Sequence, residues 1–256
     1  MDIYQFRKKK EAKQKISMVT CYDYWSAKII NSSPIDAILV GDSVGMVMYG
    51  YENTLSTTSS MIAAHVEAVK RGAPDKFIVA DWPFLAKFKN LKSFMEAGAH
   101  AVKVEGAGET TLDLIAQILD VGVPVMGHLG LTPQFIHQMG GYRVQGRSME
   151  SAQKLLEQAQ LLEEKGCFAL VLECVPSAVA QEVTQSLEIP VIGIGAGVDT
   201  DGQVLVLQDL LGFQKDFFPR FVRKYMDGAG LIEKALKDFH EDVKQRKFPS
   251  IEESYE

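Results

Sequence analysis

Charged side chains follow several apolar runs of this chain, at the point where each run ends. Asp42 comes after AILVG, Asp81 after FIVA and Glu173 after ALVL, while Lys103 and Glu105 fall within AVKVEG. An apolar run of four or five residues predicts a parallel strand that is buried on both faces. Barrel enzymes place their catalytic groups at the carboxyl ends of such strands. The spacing therefore indicates an active site built from several strand ends.

Three of these acids suit a hard divalent cation. Asp42, Asp81 and Glu105 would end three consecutive strands, so we expect their carboxylates to lie close together. Oxygen ligands favour magnesium, which takes one or two protein carboxylates and keeps water and substrate oxygens. A lone aspartate after a strand can instead cap a helix or start a turn. Three acids on consecutive strand ends favour the metal site.

The other charged residues suit substrate contact and proton transfer. Lys103 stands two residues before Glu105, so both side chains point inward. A buried lysine there either forms an internal ion pair or binds an anionic substrate oxygen. Glu173 is predicted to lie across the mouth from the metal acids, which suits a general base, unless it pairs with Arg143, Arg147 or a basic residue of a neighbouring strand.

Further candidates are a histidine, a serine and a glycine-rich turn. His128 in VMGHLG follows the same placement rule and either contacts substrate or makes a structural hydrogen bond. Ser43, next to Asp42, could donate a hydrogen bond to a substrate carboxylate or act as a ligand in the metal region. The segment GIGAG either exposes backbone amides to an anion or only permits a tight turn.

Eight apolar runs position these residues and alternate with segments of helical periodicity. They are SMVTCYD, DAILVGD, KFIVADW, AVKVEG, VPVMGHLG, FALVLEC, IPVIGIGAG and QVLVLQD. We predict an α/β fold, a (β/α)8 TIM barrel in one domain spanning residues 1–256, with a C-terminal amphipathic helix and a short polar tail. A doubly wound open sheet has the same alternation, but polar strand ends along nearly the whole chain favour closure.

Two connections depart from the regular pattern. The long segment LTPQFIHQMGGYRVQGRS after the fifth strand suits a lid or substrate loop. Only a short helix fits between the third and fourth strands, where the sequence reads WPFLAKFKNLKSFMEAGAH.

Composition excludes several classes of function. A net charge of −6 opposes a general attraction to nucleic acid or to an anionic membrane. The three cysteines lack CxxC spacing, which argues against a disulfide framework or a structural zinc site and fits a reducing cytoplasm. No apolar stretch is long enough to cross a bilayer. Small-molecule chemistry is the expected activity.

Longer segments resemble one known family, in its order and over almost the whole chain. They include TCYDYWSAK, ILVGDSVGMVMYGYENTL, FIVADWPF, GAHAVKVEGA, VMGHLGLTPQ, GGYRVQGR, ALVLECVP and IPVIGIGAG, and they resemble the ketopantoate hydroxymethyltransferase family. The resemblance implies a pantothenate-biosynthesis enzyme that transfers the one-carbon unit of 5,10-methylenetetrahydrofolate to 3-methyl-2-oxobutanoate, giving 2-dehydropantoate. It also implies a magnesium-dependent barrel that assembles as a homo-oligomer, usually a decamer.

The family's functional residues transfer to this chain motif by motif. The resemblance places substrate contacts on Asp42, Ser43, Asp81, Lys103 and His128, metal ligands on Asp42, Asp81 and Glu105, and the catalytic glutamate on Glu173. The implied reaction is removal of the C3 proton by Glu173, giving a magnesium-stabilised enolate that attacks the folate-borne carbon.

Two departures from the family pattern concern the third strand. Trp82 stands in DWPF where a smaller or more flexible apolar residue is usual, and we expect it to crowd or reshape the pocket near Asp81. The segment 85–96 is shorter than the family's third helix. Both changes are expected to affect stability or assembly more than chemistry.

Two other functions compete with this one. A magnesium-dependent 2-oxo acid lyase or mutase, resembling the isocitrate lyase and phosphoenolpyruvate mutase group, would also present clustered acids, but such enzymes use a lid cysteine and the long fifth loop has none. A non-catalytic scaffold would leave the charged strand ends buried without a ligand, which is costly.

Overall fold

Parallel strands form a closed barrel at the centre of this protein. The structure is a computed structural model that describes residues 1–215 and 219–255. Over these ranges the barrel has eight strands in chain order, and the first pairs with the last. They are β1 (Ile16–Thr20), β2 (Ala37–Val40), β3 (Phe77–Asp81), β4 (Ala101–Glu105), β5 (Val125–Gly130), β6 (Ala169–Glu173), β7 (Val191–Ile194) and β8 (Gly202–Leu205). The predicted (β/α)8 barrel is confirmed.

Helices precede, separate and follow these strands along the chain, and several begin at a side-chain cap. In the described ranges they are α1 (Ile3–Glu11), α2 (Tyr24–Asn31), α3 (Val44–Val47), α4 (Ser59–Gly72), α5 (Leu91–Ala97), α6 (Glu109–Asp120), α7 (Ile136–Met139), α8 (Met149–Glu164), α9 (Ser177–Ser186), α10 (Leu207–Leu210) and α11 (Gly228–Lys244). Asp23 caps α2, Thr58 caps α4 and Ser148 caps α8, each by accepting a backbone N–H bond. Among the described residues, none of the helices is both long and apolar enough to span a membrane.

The chain divides into two compact units, Met1–Val206 and Leu207–Glu256. The first contains the barrel. The second contains α10 and the predicted C-terminal helix, α11, which begins where the Asp227 side chain accepts from Gly230 N. Leu236 and Phe239 on α11 are exposed.

Aromatic packing fills the amino-terminal end of the barrel. The side chain of Phe6 on α1 is fully buried, with its ring centroid 5.4 Å from that of Phe77 and 5.3 Å from that of Phe168. Lys10 fixes the same helix, because its Nζ lies 2.9 Å from Asp201 Oδ2 and also donates to two backbone carbonyls. Helix α1 was not predicted from the sequence.

The connection between β3 and β4 contains the predicted short helix, α5. The indole of Trp82 is 4% exposed and meets Phe94 of α5 edge to face, with ring centroids 5.9 Å apart. The Trp82 ring thus packs on the outer helical layer, and its expected effect on the pocket beside Asp81 stays a prediction.

Candidate active site

Strand register brings the predicted polar residues to one end of the barrel. Alternate residues of each strand point inward, and the inward positions nearest the amino-terminal end form the apolar core. On β3, β4, β5 and β6, the inward positions near the carboxyl ends include polar side chains. Asp81 is level with Lys103, Glu105 is level with His128, and Glu173 is level with Gly130. We call this carboxyl-terminal end of the barrel the mouth.

A glycine allows two strands to approach closely there. Gly130 has φ +87°, and a Cβ at this position would lie 2.1 Å from the backbone oxygen of Glu173. Any larger residue would push β6 away. Gly130 therefore helps to set the depth at which Glu173 stands in the mouth.

Lys103 is the centre of a buried ionic network. Its Nζ lies 3.1 Å from Asp81 Oδ1, 3.8 Å from Glu105 Oε1 and 3.1 Å from His128 Nδ1. None of these four residues is more than 4% exposed. Burial alone would lower the pKa of Lys103, but the surrounding carboxylates outweigh it and the pKa stands above its ordinary value. The predicted internal ion pair is present.

The same network shifts the pKa values of Glu105 and His128 in opposite directions. Burial opposes ionisation of Glu105, but His128 and Lys103 lower the pKa of the Glu105 carboxyl below its ordinary value. Burial and the Lys103 ammonium lower the pKa of His128, whereas Glu105 and Glu173 raise it, and the net direction is upward. An imidazole in this place is held between a lysine and two carboxylates.

Asp42 and Asp81 lie together where β2 and β3 end. The backbone N–H of Asp42 donates to Asp81 Oδ2 at 2.8 Å, and the hydroxyl of Thr57 donates to the Asp42 carbonyl at 2.8 Å. Burial, with the charges of Asp81 and Glu105, raises the pKa of the Asp42 carboxyl well above its ordinary value. The three carboxylates repel one another, and Lys103 offsets only part of this repulsion.

The residues present fit a hard cation. Asp81 Oδ1 and Glu105 Oε1 are buried and have ion-pair contacts without a well-aligned hydrogen bond. Among the described residues, no three acidic, histidine or cysteine side chains already form a complete ligand set. Magnesium does not need one, because one or two protein carboxylates with water and substrate oxygens satisfy it. This site therefore offers a divalent cation surplus negative charge and hard oxygen donors.

Glu173 ends β6 on the other side of His128. Its Oε2 lies 3.3 Å from His128 Nε2, and its side chain is 17% exposed, so it is reachable from the mouth. Among the described residues its ion-pair partner is His128 of the neighbouring strand, so the predicted alternative of a pair with a neighbouring-strand base is present, whereas neither Arg143 nor Arg147 pairs with Glu173. Cys174, which follows, has φ +49°, an uncommon conformation for a residue with a side chain.

Ser43 lies beside a buried tyrosine that the sequence did not single out. The Oγ of Ser43 and the hydroxyl of Tyr22 are 2.7 Å apart. Tyr22 is 1% exposed, and burial with the charges of Asp81 and Asp42 raises the pKa of its phenol. A neutral Tyr22 therefore fixes the position of the Ser43 hydroxyl.

Gln134 is the other residue that the sequence analysis missed. It belongs to residues 131–148, the connection between β5 and α8, which we call the mouth loop. Its Nε2 donates to Asp42 Oδ2 and to the Trp82 carbonyl, both at 2.8 Å, and its backbone N–H donates to Glu105 Oε2 at 3.0 Å. Farther along, the Tyr142 hydroxyl lies 3.9 Å from Met46 Sδ. The mouth loop thus contacts residues that follow β2 and β3 and the last residue of β4.

The glycine-rich segment after β7 forms a tight turn. Gly195 has φ +64° and Gly197 has φ +85°. A Cβ on Gly197 would lie 2.6 Å from Ser177 Cβ. Gly195 needs glycine for its backbone conformation, and Gly197 needs it for both conformation and space.

Comparison with known proteins gives one consistent family. The family described as ketopantoate hydroxymethyltransferase matches residues 1–251. A 3-methyl-2-oxobutanoate hydroxymethyltransferase from Bdellovibrio bacteriovorus is 54% identical over 260 residues, covering 99% of this chain and 98% of its own length. The enzymes of that name from Francisella tularensis subsp. tularensis and Coxiella burnetii are 54% and 51% identical, and each match covers 98% of this chain and 97% of the relative.

Solved structures share the barrel at much lower identity. Phosphonopyruvate hydrolase in complex with oxalate and Mg²⁺ superimposes with a TM-score of 0.67 at 12% identity, covering 99% of this chain and 93% of that one. A phosphoenolpyruvate mutase/isocitrate lyase superfamily member, 2,3-dimethylmalate lyase, gives 0.61 at 15% identity, covering 97% and 89%. At such identities the similarity is one of fold alone.

Proposed function

Since the chain belongs to the ketopantoate hydroxymethyltransferase family, we propose that it builds a hydroxymethyl group onto 3-methyl-2-oxobutanoate with Glu173 as the base, Mg²⁺ as the cofactor and 5,10-methylenetetrahydrofolate as the one-carbon donor. The product would be 2-dehydropantoate, a precursor of pantothenate. Membership of the family makes the chain an enzyme. The residue roles, the metal and the donor are the proposed part.

One observation carries the assignment of roles. The Glu173 carboxylate is partly exposed in the mouth and is separated from the three buried acids by His128. Two kinds of carboxylate therefore occupy one pocket. Asp42, Asp81 and Glu105 suit cation binding, while Glu173 suits proton transfer to and from a substrate.

Asp42 and Asp81 would hold the ion, with Glu105 completing its surroundings. A bound Mg²⁺ would polarise the keto oxygen of the 2-oxo acid and so make its C3 proton more acidic. Lys103 and the Ser43 hydroxyl would bind the substrate carboxylate. The raised pKa of Lys103 keeps its ammonium charged for this contact.

Glu173 would then take the proton from C3, while His128 keeps the carboxylate in position. Water would break the two C–N bonds of the folate-borne carbon and supply its hydroxyl oxygen, and the carbanion at C3 would form a carbon–carbon bond to that carbon. The C3 proton and one proton of the water would end on the two nitrogens of the departing tetrahydrofolate. The chain's contribution is to hold two substrates in register and to move one proton.

The assembly state is proposed from the family resemblance, and the cellular compartment is proposed from the cysteines. We expect a homo-oligomer, a decamer as the family resemblance implies, working in a reducing cytoplasm. The cysteines support the second point, because Cys21, Cys167 and Cys174 are all free and the first two are buried.

The test follows C3 deuterium exchange of 3-methyl-2-oxobutanoate in heavy water by proton NMR, with and without Mg²⁺, and then adds 5,10-methylenetetrahydrofolate. Exchange that depends on Mg²⁺, followed by folate-dependent product, is the expected result. Exchange without product would remove folate as the donor. Turnover of the 2-oxo acid to smaller fragments would favour the lyase alternative, for which the present support is the shared fold alone.

A further inference from the structure

Gln134 connects the mouth loop to the acids proposed to hold the metal, and it does so through both its side chain and its backbone. The side-chain amide reaches Asp42, which follows β2, and the carbonyl of Trp82, which follows β3. The backbone N–H reaches Glu105 at the end of β4. One loop residue thus contacts three consecutive barrel strand ends.

The orientation of the amide is fixed by its partners. Both acceptors, Asp42 Oδ2 and the Trp82 carbonyl, lie 2.8 Å from the same nitrogen. A side-chain amide nitrogen has two hydrogens, and here each has an acceptor. Rotating the amide by half a turn would place its oxygen against two oxygens, which is unfavourable. Gln134 therefore acts as a donor toward Asp42.

Donation to Asp42 does not compete with a cation. A carboxylate oxygen has more than one lone pair, so Asp42 Oδ2 can accept from Gln134 and still bind an ion. Metal-binding carboxylates are generally held by such outer hydrogen bonds, whose removal weakens metal binding. The bond also orients a carboxylate that would otherwise turn away from Asp81 and Glu105.

From these contacts we infer that Gln134 is a positioning residue that makes divalent cation binding and closure of the mouth loop stabilise each other. The inference rests on the proposed metal site. A cation that fixes Asp42 and Glu105 also fixes the acceptors of Gln134, and an ordered Gln134 holds those carboxylates ready for the cation. The linkage is reciprocal, because it is one coupling free energy seen from two sites.

The variant that tests this is Gln134→Met, which keeps the length of the side chain and removes its donors. The backbone bond to Glu105 remains. Gln138→Met is the matched control, because Gln138 is exposed and lies in the same loop. Mn²⁺ serves as the probe ion, since oxygen-ligand sites accept it in place of Mg²⁺ and its free concentration is read by electron paramagnetic resonance.

Two measurements are made on the full chain. The first is Mn²⁺ affinity, which we expect to fall about 10- to 100-fold in Gln134→Met and to stay unchanged in Gln138→Met. The second is amide hydrogen exchange of residues 131–148 by mass spectrometry. Mn²⁺ should slow this exchange in the wild type and in the control, and should lose that effect in Gln134→Met.

The outcomes separate this inference from the metal site itself. Failure of the wild type to bind Mn²⁺ would overturn the proposed metal site and the linkage with it. Binding by the wild type with equal or tighter binding by Gln134→Met would overturn the linkage alone. The wild-type exchange measurement needs no variant, so unchanged exchange of the mouth loop in saturating Mn²⁺ also overturns the linkage.

Discussion

His128 and Glu173 face each other from neighbouring strands, with Nε2 of the imidazole 3.3 Å from Oε2 of the carboxylate. The other imidazole nitrogen lies 3.1 Å from Lys103 Nζ. If the lysine donates to Nδ1, the proton of a neutral His128 must be on Nε2, toward Glu173. His128 thus connects the proposed base to the ionic network without adding a carboxylate.

Replacing the proposed base should stop proton exchange. Glu173→Gln keeps the size of the side chain and removes its basic carboxylate, so we expect C3 exchange of 3-methyl-2-oxobutanoate to fall by about 10²- to 10⁴-fold. Binding of the 2-oxo acid, followed by calorimetry, should persist. The control is Glu182→Gln on the exposed face of α9. Undiminished exchange in Glu173→Gln would remove Glu173 as the base.

Removing the imidazole of His128 should slow C3 proton exchange less than replacing Glu173 does. In His128→Asn, Glu173 loses its neighbour and Lys103 loses one contact, so the carboxylate is less well placed. We expect exchange to slow by about 10- to 100-fold, as for a misplaced reacting group. The measurement is the exchange rate at saturating substrate. A loss as large as that of Glu173→Gln would instead give His128 a direct role in proton transfer.

Neutralising Asp81 should weaken cation binding. In Asp81→Asn the side-chain oxygen can still accept from the Asp42 N–H, so that local bond persists while one negative charge is lost. We expect the Mg²⁺ concentration needed for half-maximal exchange to rise at least tenfold, as loss of a ligand predicts. An unaltered Mg²⁺ titration would exclude Asp81 from the metal site.

Truncating Phe6 should destabilise the barrel. Phe6→Ala removes a fully buried ring between Phe77 and Phe168, and such a change costs about 3–5 kcal/mol in the free energy of unfolding. Tyr4→Ala is the control on the same helix, because Tyr4 is 72% exposed and should change stability by only about 0.5 kcal/mol. Denaturant unfolding measures both. Equal effects would show that α1 does not depend on Phe6 for its packing.

The Lys9–Asp36 pair predicts an acid-dependent loss of stability. Burial would raise the pKa of Asp36, but the Lys9 ammonium at 2.7 Å and the Ser17 N–H outweigh it and lower that pKa. A lowered folded-state pKa contributes stability above the unfolded value, about 3.9, and loses it as the pH falls through the folded value. Asp36→Asn should therefore be less stable than wild type at pH 7.

The difference in the free energy of unfolding between Asp36→Asn and the wild type should decrease as the pH falls below about 4. Unfolding in urea at several pH values measures it. Lys9→Met, which removes the other member of the pair, should show the same decrease in its stability difference from the wild type. A gap that stays constant from pH 7 to pH 3 would contradict the assignment.

The strand ends were predictable because two regular signals coincide there. Apolar runs located the strands, and parallel order places all their carboxyl ends at one edge, so Asp81, Lys103 and Glu173 had to be near one another. Lys103 and Glu105 share a face because strand side chains alternate. That reasoning requires no knowledge of loop conformation.

The sequence contains no comparable periodic signal for the functional residues that the sequence analysis missed. Gln134 lies in a loop, where no period relates a residue to the barrel, and its partners are far away in sequence. Tyr22 resembles any core aromatic until its hydroxyl is seen beside Ser43. Helix α1 was not predicted because it is rich in lysine and Phe6 is its one fully buried residue, so it has no apolar period.

The aromatic cluster around Phe6 has a consequence for the traffic of substrates. With Phe6, Phe77 and Phe168 filling the amino-terminal end, the part of the chain that the structure describes leaves the mouth as the way into the barrel. The 2-oxo acid and the proposed folate donor would then share one entrance. A small 2-oxo acid bound at Lys103 and Ser43 would lie deeper than a bulky donor and would have to bind before it. The closed end of the barrel would in this way impose an order on binding and release.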